Sequence, residues 1–158
     1  MLRTGRFALA LGVLAVAVAA CGSGGSISAG ERTIYMTAIE PKGGANVADE
    51  PFPTEALPAG GGYALKEPDA DGRWEVETYV WMPSEIVVMQ GDRVTLKILG
   101  VNGKSHPSVI EGYDLSFDVK RGQLTTVSFV ADKAGVFRIR CDAHPPAMTA
   151  NLVVLPTE

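Results

Sequence analysis

Four side chains of types that bind soft metal ions occur in a compact pattern along the chain. Cys141, His144 and Met148 follow one another within eight residues, and His106 lies 35 positions before Cys141. The chain has only two histidines, and both belong to this group. A thiolate, two imidazoles and a weak thioether suit a trigonal copper site with a weak axial ligand, which accommodates both Cu(I) and Cu(II). The pattern therefore predicts one copper ion bound by these four residues.

Each of these residues alone also has an ordinary structural explanation. A lone cysteine is often an inert buried thiol, a lone histidine in a loop often faces solvent, and a lone methionine often fills a core. Their concentration in one short segment favours the metal site over these explanations. Met148 has the least support among the four residues, because the chain holds other methionines.

Alternating segments from Trp74 onward predict the strands that position these side chains. Val94, Leu96 and Ile98 alternate with polar residues, which is typical of a strand with one buried face. Cys141 ends a similar segment in which apolar residues alternate with arginines, so its side chain is predicted to point inward. Turn residues recur about every 10 positions between such segments, as in an all-β sandwich.

The segment before Trp74 gives weaker signals. Residues 33–39 are predicted as a first strand, whereas residues 41–72 carry five of the ten prolines and six glycines and are predicted to form an irregular loop. The expected organisation is a signal peptide in residues 1–20, a flexible tether in 21–32, the first strand and loop in 33–72, and the sandwich domain in 73–158.

The first residues have the pattern of an export signal. Arg3 and Arg6 precede an apolar stretch, residues 7–20, that is too short for a permanent membrane-spanning helix. The residues Val18-Ala19-Ala20-Cys21 then resemble a bacterial lipobox, in which the cysteine after the cleavage site is acylated. A lipid on Cys21 would anchor the protein to the cell membrane on its periplasmic or extracellular face. The alternative is an ordinary secretory signal followed by an unmodified cysteine.

The charge and the cysteine content narrow the function further. The net charge is −4, with 14 Lys+Arg against 18 Asp+Glu. Removal of Arg3 and Arg6 with the signal leaves 12 against 18, a net charge of −6, which argues against nucleic-acid binding. Apart from Cys21, the exported chain would keep one cysteine, Cys141, in a compartment where free thiols tend to oxidise. A bound metal explains how that thiol persists.

The chain resembles the cupredoxin family, the small copper proteins of the plastocyanin and azurin group. The resemblance covers residues 76–156, and it implies a Greek-key β-sandwich with copper bound through His106, Cys141, His144 and Met148. It is carried by the strand-turn-strand segment 83–94, Ser105-His106, the segment 129–137 and the loop 141–148. The segment Asp132-Lys133-Ala134-Gly135 is also similar to the copper domains of cytochrome oxidase subunit II and nitrous oxide reductase. Those dinuclear sites need two loop cysteines, whereas this loop has one, so a mononuclear site is expected.

The ligand loop also resembles that of nitrosocyanin, a red-copper relative with a carboxylate in place of the first histidine. His106 occupies that place here and favours the blue type of site. Glu111 and Asp142 lie close in sequence, so a carboxylate in place of Met148 is an alternative.

The favoured function is a one-electron carrier at the membrane surface that exchanges electrons with redox protein partners. Copper storage or delivery is the second hypothesis, although exchangeable sites favour open methionine or histidine clusters rather than a cysteine on a rigid strand. Enzymatic activity is less favoured, because the chain has no further histidine to build a second metal site.

Overall fold

The computed structural model of the protein describes residues 28–157. The predicted signal peptide and Cys21 lie outside the described residues. Within residues 28–157 no helix has the length and apolar composition needed to cross a lipid bilayer. The described chain forms the strands β1 Glu31–Ile39, β2 Lys42–Asn46, β3 Tyr63–Lys66, β4 Arg73–Thr78, β5 Val80–Met82, β6 Glu85–Met89, β7 Arg93–Gly100, β8 Ser105–Ile110, β9 Leu115–Lys120, β10 Leu124–Val130, β11 Gly135–Cys141 and β12 Thr149–Leu155.

Two sheets face each other and form a sandwich. The first has the strand order β10-β7-β1-β5, and the second has the order β6-β12-β11-β8-β9. The pairs β1/β7 and β6/β12 are parallel, and the other neighbouring strands are antiparallel. The chain crosses between the two sheets after β5, β6, β7, β9 and β10. The prediction of an all-β sandwich is confirmed.

The core lies between the two sheets and follows the alternation seen in the sequence. Leu96 and Ile98 of β7 are fully buried, and so are Ile139 and Cys141 of β11. Their polar neighbours along each strand lie on the outer faces, where a period of two places them. Burial of one face fixes the register of both strands, because a slip of one residue would turn the apolar side chains outward.

The N-terminal region contains more regular structure than the proline and glycine content suggests. β1 begins at Glu31 and pairs along its length with β7, in the middle of the first sheet. Two further strands, β2 and β3, form within the segment predicted as an irregular loop, and both pair with β4 in a separate three-stranded sheet. Ion pairs of Lys42 with Glu77 and of Lys66 with Glu75 join these strands. These cross-strand charge pairs add to the backbone pairing of the small sheet, and hydrophobic alternation does not reveal them.

A buried aspartate fastens the start of β1 to the turn before β7. The Asp92 carboxylate is fully buried and accepts hydrogen bonds from the backbone N–H groups of Gly30 (2.6 Å) and Met89 (2.8 Å) and from Arg32 Nε (3.1 Å). Burial alone would raise the pKa of Asp92, but the two backbone donors and Arg32 outweigh it and lower the pKa below its usual value.

We expect Asp92→Asn to lower the free energy of unfolding at neutral pH by about 1–3 kcal/mol, because an amide cannot accept the same three hydrogen bonds. A carboxyl with a depressed folded-state pKa stabilises the protein above the unfolded pKa of about 3.9 and loses that effect as the pH falls through the folded pKa. The difference in the free energy of unfolding between the parent and Asp92→Asn should therefore be smaller when urea unfolding is repeated near pH 3. Asp132→Asn, at an exposed position, serves as the control. An equal difference at both pH values would contradict this account.

Candidate metal centre

Three of the four predicted ligands meet at one end of the sandwich. His106 lies in β8, Cys141 is the last residue of β11, and His144 lies in the loop between β11 and β12. The Nδ1 atoms of the two histidines are 3.2 Å apart, and Cys141 Sγ lies 3.4 Å from His144 Nδ1. One ligand atom from each residue lies within 4.8 Å of the other two. Strands β8 and β11 are hydrogen-bonded neighbours, so residues 35 positions apart in sequence come together.

His106 is held in the orientation that leaves Nδ1 free. Its Nε2 lies 2.8 Å from the backbone carbonyl of Asn102, so the Nε2–H donates there and Nδ1 keeps its lone pair. The Asn102 side chain is fixed in turn by the backbone of Glu40. Its Oδ1 accepts a hydrogen bond from the Glu40 N–H at 2.7 Å. Gly103, at φ +79°, follows Asn102, and a Cβ there would lie 2.6 Å from His106 Cε1. The turn before β8 thus needs glycine at this position.

Cys141 lies in an apolar and enclosed position. Its side chain is fully buried, and burial raises the pKa of the thiol, although the backbone N–H groups of Ala143 and His144 and the Ser108 hydroxyl act in the opposite direction. Ser108 is the residue of β8 directly opposite Cys141. Metal binding requires the thiolate, so an ion at this site would have to displace the thiol proton.

His144 is half-buried. Burial lowers the pKa of His144, and the neighbouring His106 lowers it further. The imidazole is therefore neutral at neutral pH, which is the form that binds metals.

Met148 closes the ligand loop. Its backbone N–H donates to the His144 carbonyl at 3.1 Å, and its carbonyl accepts the Cys141 N–H at 3.0 Å. The side chain is fully buried. The Asp142 N–H donates to the Pro107 carbonyl at 2.8 Å, which ties the loop to β8. These bonds hold the start and end of the loop together.

The two carboxylates considered as alternative ligands bind an arginine. Glu111 Oε1 accepts a hydrogen bond from Arg140 Nε at 3.1 Å, and Asp142 forms an ion pair with the same guanidinium. Neither belongs to the cluster of ligand atoms around Cys141. A carboxylate-ligated site of the nitrosocyanin kind is therefore less favoured than the site with two histidines and a cysteine.

Two aromatic residues beside the cluster were not identified from the sequence. The Tyr79 ring stacks on the His144 ring at a centroid distance of 3.8 Å, and the Trp81 ring meets His106 edge-on at 6.2 Å. Both come from the short segment around β5, far from the ligand loop in sequence. In the sequence, only their spacing of two residues indicated that both side chains point to the same face of a strand.

The donor set fits copper. One soft sulfur and two imidazole nitrogens converge in a largely buried position, and these ligand types select copper over harder cations.

No known family model matches the sequence, and no curated protein resembles it. Solved structures do resemble it in fold. A multicopper oxidase from Pseudomonas thermotolerans has a TM-score of 0.55 at 15% identity, over 83% of this chain and 31% of that protein. For the multicopper oxidase mgLAC the TM-score is 0.54 at 16% identity, over 81% of this chain and 40% of that protein. For the copper nitrite reductase from Nitrosomonas europaea the TM-score is 0.53 at 16% identity, over 81% of this chain and 42% of that protein.

The chain thus spans less than half the length of each of these proteins, and identities this low establish the fold alone. All three are cupredoxin-fold proteins, in agreement with the resemblance seen in the sequence. The protein therefore has the cupredoxin fold, with a cluster of two histidines and one cysteine whose ligand atoms suit copper.

Proposed function

We propose that the protein is a lipid-anchored carrier of single electrons outside the cytoplasm, with one copper ion bound by His106, Cys141 and His144 and by Met148 as the weak fourth ligand. The convergence of one ligand atom from each of His106, Cys141 and His144 within 4.8 Å carries this proposal. A bound copper ion would supply a reversible couple between Cu(I) and Cu(II). The lipid anchor is supported by the residues Val18-Ala19-Ala20-Cys21.

The protein's own residues favour electron exchange over other uses of copper. His106 and Cys141 lie on paired strands and are fully buried, so their positions change little between the two oxidation states. Their burial also opposes rapid release of the metal, which a storage or delivery protein would need. Redox protein partners at the membrane surface would meet such a carrier through a small, weak contact.

Copper loading of the full-length chain tests the proposal. We expect one copper per chain, a thiolate-to-copper absorption band, the electron paramagnetic resonance signal of a mononuclear Cu(II) site and a reversible voltammetric wave. Two coppers per chain, or a spectrum without the thiolate band, would refute it. Rapid copper transfer to a metal-free acceptor, faster than electron exchange, would favour delivery.

We expect Met148→Leu to retain copper but to shift the thiolate band and raise the reduction potential, because loss of the weak thioether donor disfavours Cu(II). The swap conserves volume, so the free energy of unfolding should fall by less than about 1.5 kcal/mol. Met82→Leu, at a side chain that is 55% exposed, is the matched control. Identical spectra for parent and Met148→Leu would show that Met148 is not a ligand.

A further inference from the structure

Tyr79 covers the half-buried histidine of the cluster. Its ring lies almost parallel to the His144 imidazole, at an interplanar angle of 21° and a centroid distance of 3.8 Å. The same ring lies 5.7 Å from His106. His106 and Cys141 are already fully buried, so His144 is the ligand with most access to solvent, and Tyr79 occupies one face of it.

The backbone of three consecutive glycines lies against the ligand loop. The Gly62 N–H donates to the Pro145 carbonyl at 3.1 Å, and the Gly62 carbonyl accepts the Tyr79 N–H at 3.0 Å. A Cβ on Gly62 would lie 2.6 Å from the His144 carbonyl oxygen, and one on Gly60 would lie 2.5 Å from that of Pro145. Residues 60–62, here called the glycine strap, therefore approach the loop more closely than any side chain would allow.

Charged residues surround the position of Tyr79. Burial raises the pKa of Tyr79, and the nearby Glu40 carboxylate adds to this effect. Glu40 is itself largely buried and pairs with Lys42, which also pairs with Glu77. The ring is thus held by the glycine strap at its backbone and by His144 on one face.

We propose that Tyr79, held by the glycine strap, closes the metal centre to small ligands and restricts it to outer-sphere electron exchange. The restriction to outer-sphere electron exchange rests on the proposed function. The contact between Tyr79 and His144, in contrast, is present in the metal-free protein. In the exchange, one electron leaves the reduced site for a one-electron oxidant, which is reduced by one electron. Tyr79 keeps its proton and its oxidation state, and no bond to the metal forms or breaks.

The first test uses the metal-free, full-length chain and diethyl pyrocarbonate, which acylates accessible imidazole nitrogens. The chain has two histidines, and His106 is fully buried, so mass spectrometry of the peptide that contains His144 reports on the cover. Tyr79→Ala and Gly62→Ala should each raise the rate of His144 modification at least several-fold. Tyr79→Phe, which keeps the ring, should leave the rate unchanged.

Matched controls separate the cover from general loosening of the fold. Tyr35→Ala removes a tyrosine that is 67% exposed on β1, and Gly30→Ala adds a Cβ where nothing lies within 4 Å. Neither should change His144 modification. If Tyr79→Ala does not fold, Gly62→Ala carries the same test. Modification of His144 at the parent rate in folded Tyr79→Ala and Gly62→Ala would overturn the proposal.

The second test adds sodium azide to the copper-loaded proteins. The absorption and electron paramagnetic resonance spectra of the parent and Tyr79→Phe should not respond, whereas those of Tyr79→Ala should change in a saturable way. An azide response of the parent protein, or none in Tyr79→Ala, would overturn the restriction to outer-sphere exchange. A chain that binds no copper would instead refute the proposed function, and the modification of His144 would still decide whether Tyr79 is a cover.

Discussion

Replacing Cys141 with serine should abolish the thiolate absorption of the copper-loaded protein and weaken Cu(I) binding by more than about 100-fold, since even outer-shell changes at metal sites cost about 10–100-fold. Sulfur is the one soft donor among the three clustered residues, and it is the atom that favours Cu(I). A serine hydroxyl is a hard ligand and stays protonated at neutral pH. Competition with a Cu(I) chelator measures the change in affinity.

The chain offers a matched control for this substitution. Cys21→Ser changes the only other cysteine and should leave the absorption band and the copper affinity unchanged. Cys141→Ser should also lower the free energy of unfolding of the metal-free protein by about 1–3 kcal/mol, because it buries a hydroxyl in an apolar position. A thiolate band that survives in Cys141→Ser, or disappears in Cys21→Ser, would contradict the assignment of Cys141.

Replacing Trp81 with alanine should lower the free energy of unfolding of the metal-free protein by about 3–5 kcal/mol. Trp81 is fully buried in the core between the two sheets, where it packs against His106 and Phe117. The residual cavity would also leave His106 without one of its neighbours, so the copper spectrum should broaden or shift. Urea unfolding and absorption spectroscopy measure the two effects.

Trp74→Ala separates packing near the metal site from packing elsewhere. Trp74 is buried in the small three-stranded sheet, where it meets Phe52 edge-on and donates from Nε1 to the Glu50 carbonyl. Its removal should lower the stability of that sheet but leave the copper spectrum unchanged. Equal spectral effects of the two substitutions would show that Trp81 has no particular role beside His106.

Local sequence patterns were sufficient to predict the strands around the cluster. The alternation in residues 93–98 and 136–141 depends only on neighbouring residues and on the period of a strand, and the predicted inward direction of Cys141 agrees with its complete burial. The proximity of His106 to this cysteine was predicted from the metal-binding types of the residues and from the family resemblance. It could not be derived from local pattern, because it depends on the pairing of β8 with β11.

Features that depend on contacts between distant segments were not predicted. β2 has the sequence Lys-Gly-Gly-Ala-Asn, which lacks apolar alternation, and its pairing with β4 is reinforced by the ion pair of Lys42 with Glu77. Tyr79 lies 65 positions before His144, and nothing near it in sequence indicates a ligand. The three consecutive glycines, residues 60–62, did indicate a close approach of two backbone segments. They did not indicate that the other segment is the ligand loop.

The position of β1 determines how the domain responds to a force applied at its N-terminal side. This strand lies between β7 and β5 and is in register with β7 from Glu31 to Ala38. A pull applied ahead of Glu31 acts along the strand and loads these hydrogen bonds in shear, so many must break together rather than one after another. The pairing of β1 with β7 thus resists such a force, and His106 and Cys141 lie on other strands, β8 and β11.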